Sequence, residues 1–501
     1  MLNNIGFYME VMCLIFALLV FVLGVNELSY IEAFLTRSKR HNYLVCCSCT
    51  CIALLQLNIP VYSSSFFLVK GFSAGLVSMI ILVLSVICYS YLSEYNNKYS
   101  LSMFEFSVLF LFIVFTSILM IHSYFLLLFF LFFEVHNMCL YILISFSRNN
   151  GNHVESGLKY FILSSFSSII MLFGIALLYC SFGSLHLLEI ESLVFSSDAE
   201  NVLFYKDFGF VFLSFGSSFK LYCVPFHFWV PDIYQGSPTS TTLIIACISY
   251  LSVFFVSFLF FINIRLVWIL NVQNILSFFT ILCLLVGGLG GIFQTQLKRL
   301  IAYSSIPGLG YVLYGFSDNN EIVFADALYF LVIHCVSLVA IFLLLLFIDV
   351  NLDIFSREYI DISNVDKLSG FFFINKYYCL LLSLLFFSIS GIPPFTGFYT
   401  KFFIFEESML HGDFIIYIVM IINSLCSCYF YFYSIKVMYY DRPFNEEVRL
   451  SISLSLDVFF VCYSIVLLLL FGISHLVVFA DEITVGIGTT TINYNKFFFI
   501  T

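Results

Sequence analysis

Runs of about twenty apolar residues recur along this chain, each long enough to cross ~30 Å of hydrocarbon at ~1.5 Å of helix per residue. Inside a bilayer every backbone amide must be bonded within the protein, so each run has to be a helix. The runs fall at about 5–26, 43–60, 72–93, 103–121, 123–146, 157–182, 208–230, 238–263, 274–293, 297–316, 324–349, 377–405, 413–438 and 453–479. The expected fold class is therefore all-α, a polytopic membrane protein with about fourteen transmembrane helices. Of the 501 residues 62% are hydrophobic and 10% charged, a balance that excludes a soluble domain of this size. Met1–Asn26 carries Glu10 and no basic leader, so it reads as the first span. The 16 cysteines sit mostly in apolar runs and suggest no disulfide framework. The cluster Cys46-Cys47-Ser48-Cys49-Thr50-Cys51 lacks CxxC spacing and reads as small buried side chains. Phenylalanine (66 residues, against 2 tryptophans) is used beyond any packing need, which points to an AT-rich coding genome and an organelle.

Orientation follows from lysine and arginine. Fourteen of them fall in loops of one face, among them Arg37, Lys98, Arg148, Lys298, Arg357 and Arg449. Four fall on the other face (Lys70, Lys206, Arg265, Lys496), and Lys220 and Lys401 remain inside the membrane. This parity predicts that both termini face away from the cytoplasm or matrix.

The seventh run is broken: Gly209–Pro238 carries Lys220 where the hydrocarbon is deepest and then meets Pro225 and Pro231. The twelfth is broken too, by Gly391-Ile392-Pro393-Pro394, followed by Gly397 and Lys401. A buried ammonium costs roughly 2.5–3.5 kcal/mol even on the lenient insertion scale, so it must face protein or water. The two broken runs are five spans apart, and an odd separation inverts the second unit. The expected organisation is N-terminal helices in 1–100, a first repeat at 101–263, an inverted repeat at 274–440, and a last helix and tail in 441–501.

Glu134 stands about eleven residues into its helix, roughly 16 Å deep, and Lys220 is about as deep in its own. Opposite charges at one depth are expected to pair. Desolvation and mutual attraction act in opposite senses on such a pair, so opening and closing it moves a proton; the alternative is a static pair that only orders helices. Lys401 has no acid at its depth and suits a terminal proton donor, or else snorkels to the interface. Tyr250 and His334 are polar at comparable depth, with Ser249, Tyr303, Ser304 and Ser305 nearby. Tyr250 can hold water; His334 can pass protons or be a hydrogen-bonded core residue. His122, His136, His153 and His227 lie near helix ends or beside Glu134, and none is assigned a metal. No GxxxxGK(S/T) loop, strand-borne GxGxxG, iron–sulfur cysteine pattern or haem histidine pair is present. Gly287-Gly288-Leu289-Gly290-Gly291 reads as close helix packing. Such a chain moves something across the membrane and carries no redox centre.

The strings ESGLKYFILSSFSSIIMLFGIALLY (155–179), FKLYCVPFHFWVPDIYQGSPT (219–239), FQTQLKRLIAYSSIPGLGYVLYG (293–315) and SISGIPPFTGFYTKFFIF (388–405) resemble the antiporter-like subunits of respiratory NADH–ubiquinone oxidoreductase, most closely those of the chain 2 type. The resemblance runs over about 100–440. It implies fourteen helices in two inverted five-helix repeats. It also implies a proton path through Glu134, Lys220 and Lys401, with Tyr250 where the family has a lysine and Gly308 where it often has a histidine. No cofactor is expected in this chain; FMN, iron–sulfur clusters and ubiquinone would belong to partner subunits. The partners would be other membrane-arm chains, including neighbouring antiporter-like ones, and lipids, with no nucleic acid. The location implied is the mitochondrial inner membrane, with termini on the intermembrane-space side. A subunit of a multi-chain sodium/proton antiporter would share the fold and the lysines. A purely structural scaffold would not need them.

Overall fold

Helix is the only regular structure among the described residues, apart from two isolated bridges, as backbones confined to hydrocarbon require. The computed structural model describes residues 72–98, 104–147, 150–187, 189–190, 200–265, 271–317, 321–356 and 364–441. The first two apolar runs, the last one, the Cys46–Cys51 cluster and much of the loop charge lie outside these residues. Helices α1 (Phe72–Lys98), α2 (Phe104–His122), α3 (Leu126–Ile144) and α4 (Gly151–Phe182) follow in order. Helix α5 (Glu200–Lys220) ends on the buried lysine, and eight residues separate it from α6 (Trp229–Gly236). Next come α7 (Thr239–Ile244), a π-helical turn (Ile245–Ser249) and α8 (Tyr250–Arg265), which continue one another. Helices α9 (Asn271–Ile292), α10 (Leu297–Ser317) and α11 (Glu321–Ser356) precede a second broken pair, α12 (Lys376–Ser390) and α13 (Thr396–Leu410). Helix α14 (Phe414–Tyr440) closes the described chain.

Eight helical stretches among the described residues are long and apolar enough to cross a membrane; four are Ala74–Leu92, Glu105–His122, Leu126–Ile144 and Gly151–Phe182, and four are Thr239–Ser257, Asn274–Ile292, Ile322–Leu346 and Phe414–Tyr440. The seventh, tenth and twelfth runs are not among them. The seventh and twelfth are divided at their breaks, the twelfth into 15-residue halves, α12 and α13, that reach only ~22 Å, and the tenth carries Lys298, Arg299 and several Ser, Tyr and Gly residues that dilute its apolar character. Several helices extend beyond their apolar runs, α5 back to Glu200 and α1 on to Lys98 among them. Helix α4 starts at Gly151 and α11 continues to Ser356, because polar residues at a membrane surface still complete a helical turn.

Two compact units divide the chain: Met1–Leu221 with Cys247–Ile269 and Val485–Thr501, and Tyr222–Ala246 with Leu270–Thr484. In the first, α4 lies along α5, α2 packs on α3, and α8 packs on α1 and α2. The close approach of α4 to α5 needs glycine: a Cβ on Gly174 would lie 2.7 Å from the Leu213 backbone nitrogen. The outer face of α4 exposes Leu158, Ile162, Phe166, Ile169 and Phe173, an apolar stripe suited to lipid. In the second unit α9 packs against α10 and α14, and α11 against α10, α12 and α13. The glycine run of α9 is the contact surface, as its composition suggests. Gly287 faces the Pro307 ring, Gly288 faces Asn423, Gly290 faces Tyr303 and Gly291 faces Phe430.

Residues of two of the family-like strings, 219–239 and 293–315, meet in this unit. Arg299 at the start of α10 pairs with Asp232 of α6 at 2.6 Å, and Lys298 Nζ donates to the Ser237 carbonyl at 3.1 Å. The segment following the first break is thereby tied to the foot of α10.

Candidate functional site

In the first unit Lys220 is 6% exposed and ends α5. Its ammonium donates to Asn137 Oδ1 at 2.8 Å and to the Tyr160 hydroxyl at 3.4 Å. It also lies 4.7 Å from the Tyr160 ring centre and 5.1 Å from that of Phe133. An amide oxygen and two aromatic faces thus hold the cation without a carboxylate in contact. The direct ion pair expected from the matched depths of Glu134 and Lys220 is not formed. Asn137, one turn beyond Glu134 on α3, takes the contact position. Glu134 is half-buried and within electrostatic reach of Lys220, and its Oε1 is shielded from the surroundings with no hydrogen-bond partner. The Nδ2 of Asn137 is shielded and unpartnered as well.

Helix α3 carries one more polar side chain into this unit. His136 is 1% exposed, and its Nδ1 lies 3.1 Å from Thr116 Oγ1 of α2. Its Nε2 lies 2.9 Å from Ser249 Oγ, the last residue of the π-helical turn. Lys220 is within electrostatic reach of His136. Tyr250 follows directly, 4% exposed, with its ring 5.7 Å from that of Phe254. Three polar residues within four positions of a 19-residue apolar helix were visible in the sequence. Only Glu134 was singled out there, because charge outweighs an amide or a neutral imidazole in any count of insertion cost.

In the second unit Lys401 is also 6% exposed. Its ammonium donates to the carbonyls of Ile389 and Ser390, both at 2.9 Å, and stands 5.7 Å from the Tyr311 ring centre. Those carbonyls end α12, where the negative end of the helix dipole and the unpaired carbonyls of the last turn attract a cation. Gly391 makes this possible: it closes α12 at φ +84°, and a Cβ there would lie 3.0 Å from Lys401 Cδ. The lysine of α13 is thus folded back onto the break instead of snorkelling along its helix.

His334 of α11 is 5% exposed and stacks on Phe330 with ring centres 5.7 Å apart. Its Nε2 is shielded, has no hydrogen-bond partner, and faces Gly308 of α10, where a Cβ would lie 3.0 Å away. Lys401 is within electrostatic reach of His334. A polar row continues beside it: Asn423 Nδ2 donates to the Tyr311 hydroxyl at 2.9 Å, and Tyr311 donates to the Met420 carbonyl at 3.3 Å. Ser304 accepts from the Tyr431 hydroxyl at 2.7 Å. Among the described residues no three His, Cys, Asp or Glu side chains converge where a metal ion could sit.

Known proteins resemble this chain in sequence and in fold. The family described as NADH:quinone oxidoreductase/Mrp antiporter, TM, matches residues 123–427. The NADH-quinone oxidoreductase subunit N of Pelagibacter ubique (strain HTCC1062) is 33% identical over 399 residues, covering 78% of this chain and 81% of the relative. That of Wolbachia sp. subsp. Brugia malayi (strain TRS) is 34% identical over 348 residues, covering 69% and 72%. Among solved structures, a chain of respiratory complex I from Thermus thermophilus with bound aureothin aligns with a TM-score of 0.72 at 22% identity, covering 92% of this chain and 96% of that one. A chain of the membrane-bound sulfane sulfur reductase, an archaeal respiratory membrane complex, aligns with a TM-score of 0.79 at 17% identity, covering 97% and 98%. At such identities these two structures speak for the fold alone.

Proposed function

Because the chain belongs to the NADH:quinone oxidoreductase/Mrp antiporter transmembrane family, we propose that it is a proton-translocating membrane-arm subunit of NADH:ubiquinone oxidoreductase, the counterpart of chain 2 and of the bacterial subunit N. Electrons pass from NADH to quinone in other subunits, which hold the FMN, the iron–sulfur clusters and the ubiquinone. This chain answers with charge movements at Glu134, Lys220 and Lys401, and Tyr250 and His334 are its candidate relays. Its neighbours are other membrane-arm subunits, including antiporter-like ones. The observation that carries this reading is that two buried lysines each stand at a helix break, one against an amide and aromatic rings and the other against backbone carbonyls. A cation held by neutral groups can lose its proton without leaving an orphaned anion in contact with it.

The same reading includes fourteen spans in two inverted five-helix repeats, at 101–263 and 274–440. The phenylalanine-heavy composition supports an organellar gene and the mitochondrial inner membrane, and the Lys/Arg parity supports termini on the intermembrane-space side. The sodium/proton antiporter alternative shares the fold but not the similarity to subunit N. Purification through a tag on this chain distinguishes the two. Flavin and iron–sulfur subunits should accompany it, together with NADH:quinone activity. Recovery with antiporter chains alone, free of flavin, would contradict the assignment.

A further inference from the structure

We infer that His136 is a proton station coupled to Lys220, oriented by Thr116 and gated by the hydroxyl of Ser249; this rests on the proton-translocating reading above. The hydrogen bonds fix the tautomer. Thr116 Oγ1 gives its only hydrogen to the backbone, at 2.8 Å from the Phe112 carbonyl and 3.1 Å from that of Ile113. It can therefore only accept from the imidazole, which places the proton of neutral His136 on Nδ1. Nε2 is then an acceptor, and Ser249 donates to it. A base whose far nitrogen is anchored and whose lone pair meets a rotatable hydroxyl has the layout of an oriented general base. Purely structural histidines bridge helices in the same way, but nothing requires the next residue of the helix to hold a buried cation, as Asn137 does.

Lys220 supplies that second observation. Its ammonium donates at 2.8 Å to Asn137, the residue next to His136 on the same helix, and two cations held by adjacent residues of one helix in an apolar interior repel. The pair is charged at one site at a time, so the proton has two places to rest. In the transfer an N–H bond of the Lys220 ammonium breaks and an Nε2–H bond forms on His136. The positive charge moves with the proton and nothing is oxidised. Protonated Nε2 donates, so Ser249 must turn from donor to acceptor and present its own hydrogen elsewhere. Ser249 closes the π-helical turn just before Tyr250, and such turns widen a helix where a side chain has to be re-aimed.

The test uses the intact complex in sealed vesicles, comparing His136→Gln, Ser249→Ala and Lys220→Met for assembly and for protons moved per NADH. His136→Gln keeps a polar group of similar reach but cannot carry charge, and its ratio should fall as far as that of Lys220→Met. In the otherwise unaltered complex with ring-labelled histidine, the infrared difference spectrum between NADH-reduced and oxidised states should carry an imidazole band that Ser249→Ala shifts. A wild-type ratio in assembled His136→Gln, or no band that Ser249→Ala moves, would overturn the inference. If Lys220→Met itself pumps normally, the proton-translocating reading of Lys220 fails instead. If Lys220→Met is silent while His136→Gln pumps, only the station at His136 fails.

Discussion

Lys220 donates to an amide rather than a carboxylate, and that choice sets how firmly its proton is held. A hydrogen bond from an ammonium to an ionised oxygen is roughly twice as strong as one between neutral groups, and one to a neutral amide oxygen leaves the cation easier to discharge. Asn137→Asp would put a carboxylate where Oδ1 now accepts at 2.8 Å. The proton should then be trapped and NADH-driven pumping slowed by about tenfold or more, the equivalent of ~1.4 kcal/mol. Asn137→Leu leaves the two aromatic faces in place and should slow pumping less. Proton uptake measured with a pH dye in vesicles orders the two variants; an Asp variant faster than the Leu variant would contradict this account of the lysine. Depth alone had pointed to a Glu134–Lys220 contact. Residue spacing reveals which charges share a level in the membrane, but not which neighbour on the same helix face reaches the cation first. Asn137, three residues on, was as visible as Glu134 and lacked only a charge.

The helix breaks were legible for a different reason. Gly391-Ile392-Pro393-Pro394 cannot continue a helix, and the observed α12 stops at Ser390 with Gly391 left-handed. The π-helical turn at Ile245–Ser249 was not legible, since no residue type marks it. What the break does was hidden as well, because only coordinates show Lys401 folding back to its carbonyls. Gly391→Ala would force a Cβ into a left-handed residue, at a cost of about 1–2 kcal/mol, and push on the Lys401 stem. The complex should still assemble but melt earlier and pump less. Gly397→Ala is the harsher change, since its Cβ would run into the Ser388 carbonyl. Native gels should show little assembled complex, and normal assembly of Gly397→Ala would contradict the close approach of α13 to the end of α12.

Among the described residues the chain is a series of mostly apolar helices, with Lys220 and Lys401 each buried at a break. Class and motif were readable because hydrocarbon demands helices and because the strings around Asp232 and Arg299 keep partners that meet in space at 2.6 Å. Side-chain pairing was not, since one helix face offers several polar candidates and tertiary packing selects among them. The division into compact units also cuts across the sequence blocks: Tyr222–Ala246 goes with the second unit although it lies between segments of the first. The central claim is that buried lysines at helix breaks pass protons while electrons flow elsewhere. Protons translocated per NADH oxidised, measured in sealed vesicles carrying the assembled complex with Lys220→Met or Lys401→Met, test it most directly. The account predicts a lowered ratio in both variants with the complex still assembled; an unchanged ratio in either assembled variant would contradict it.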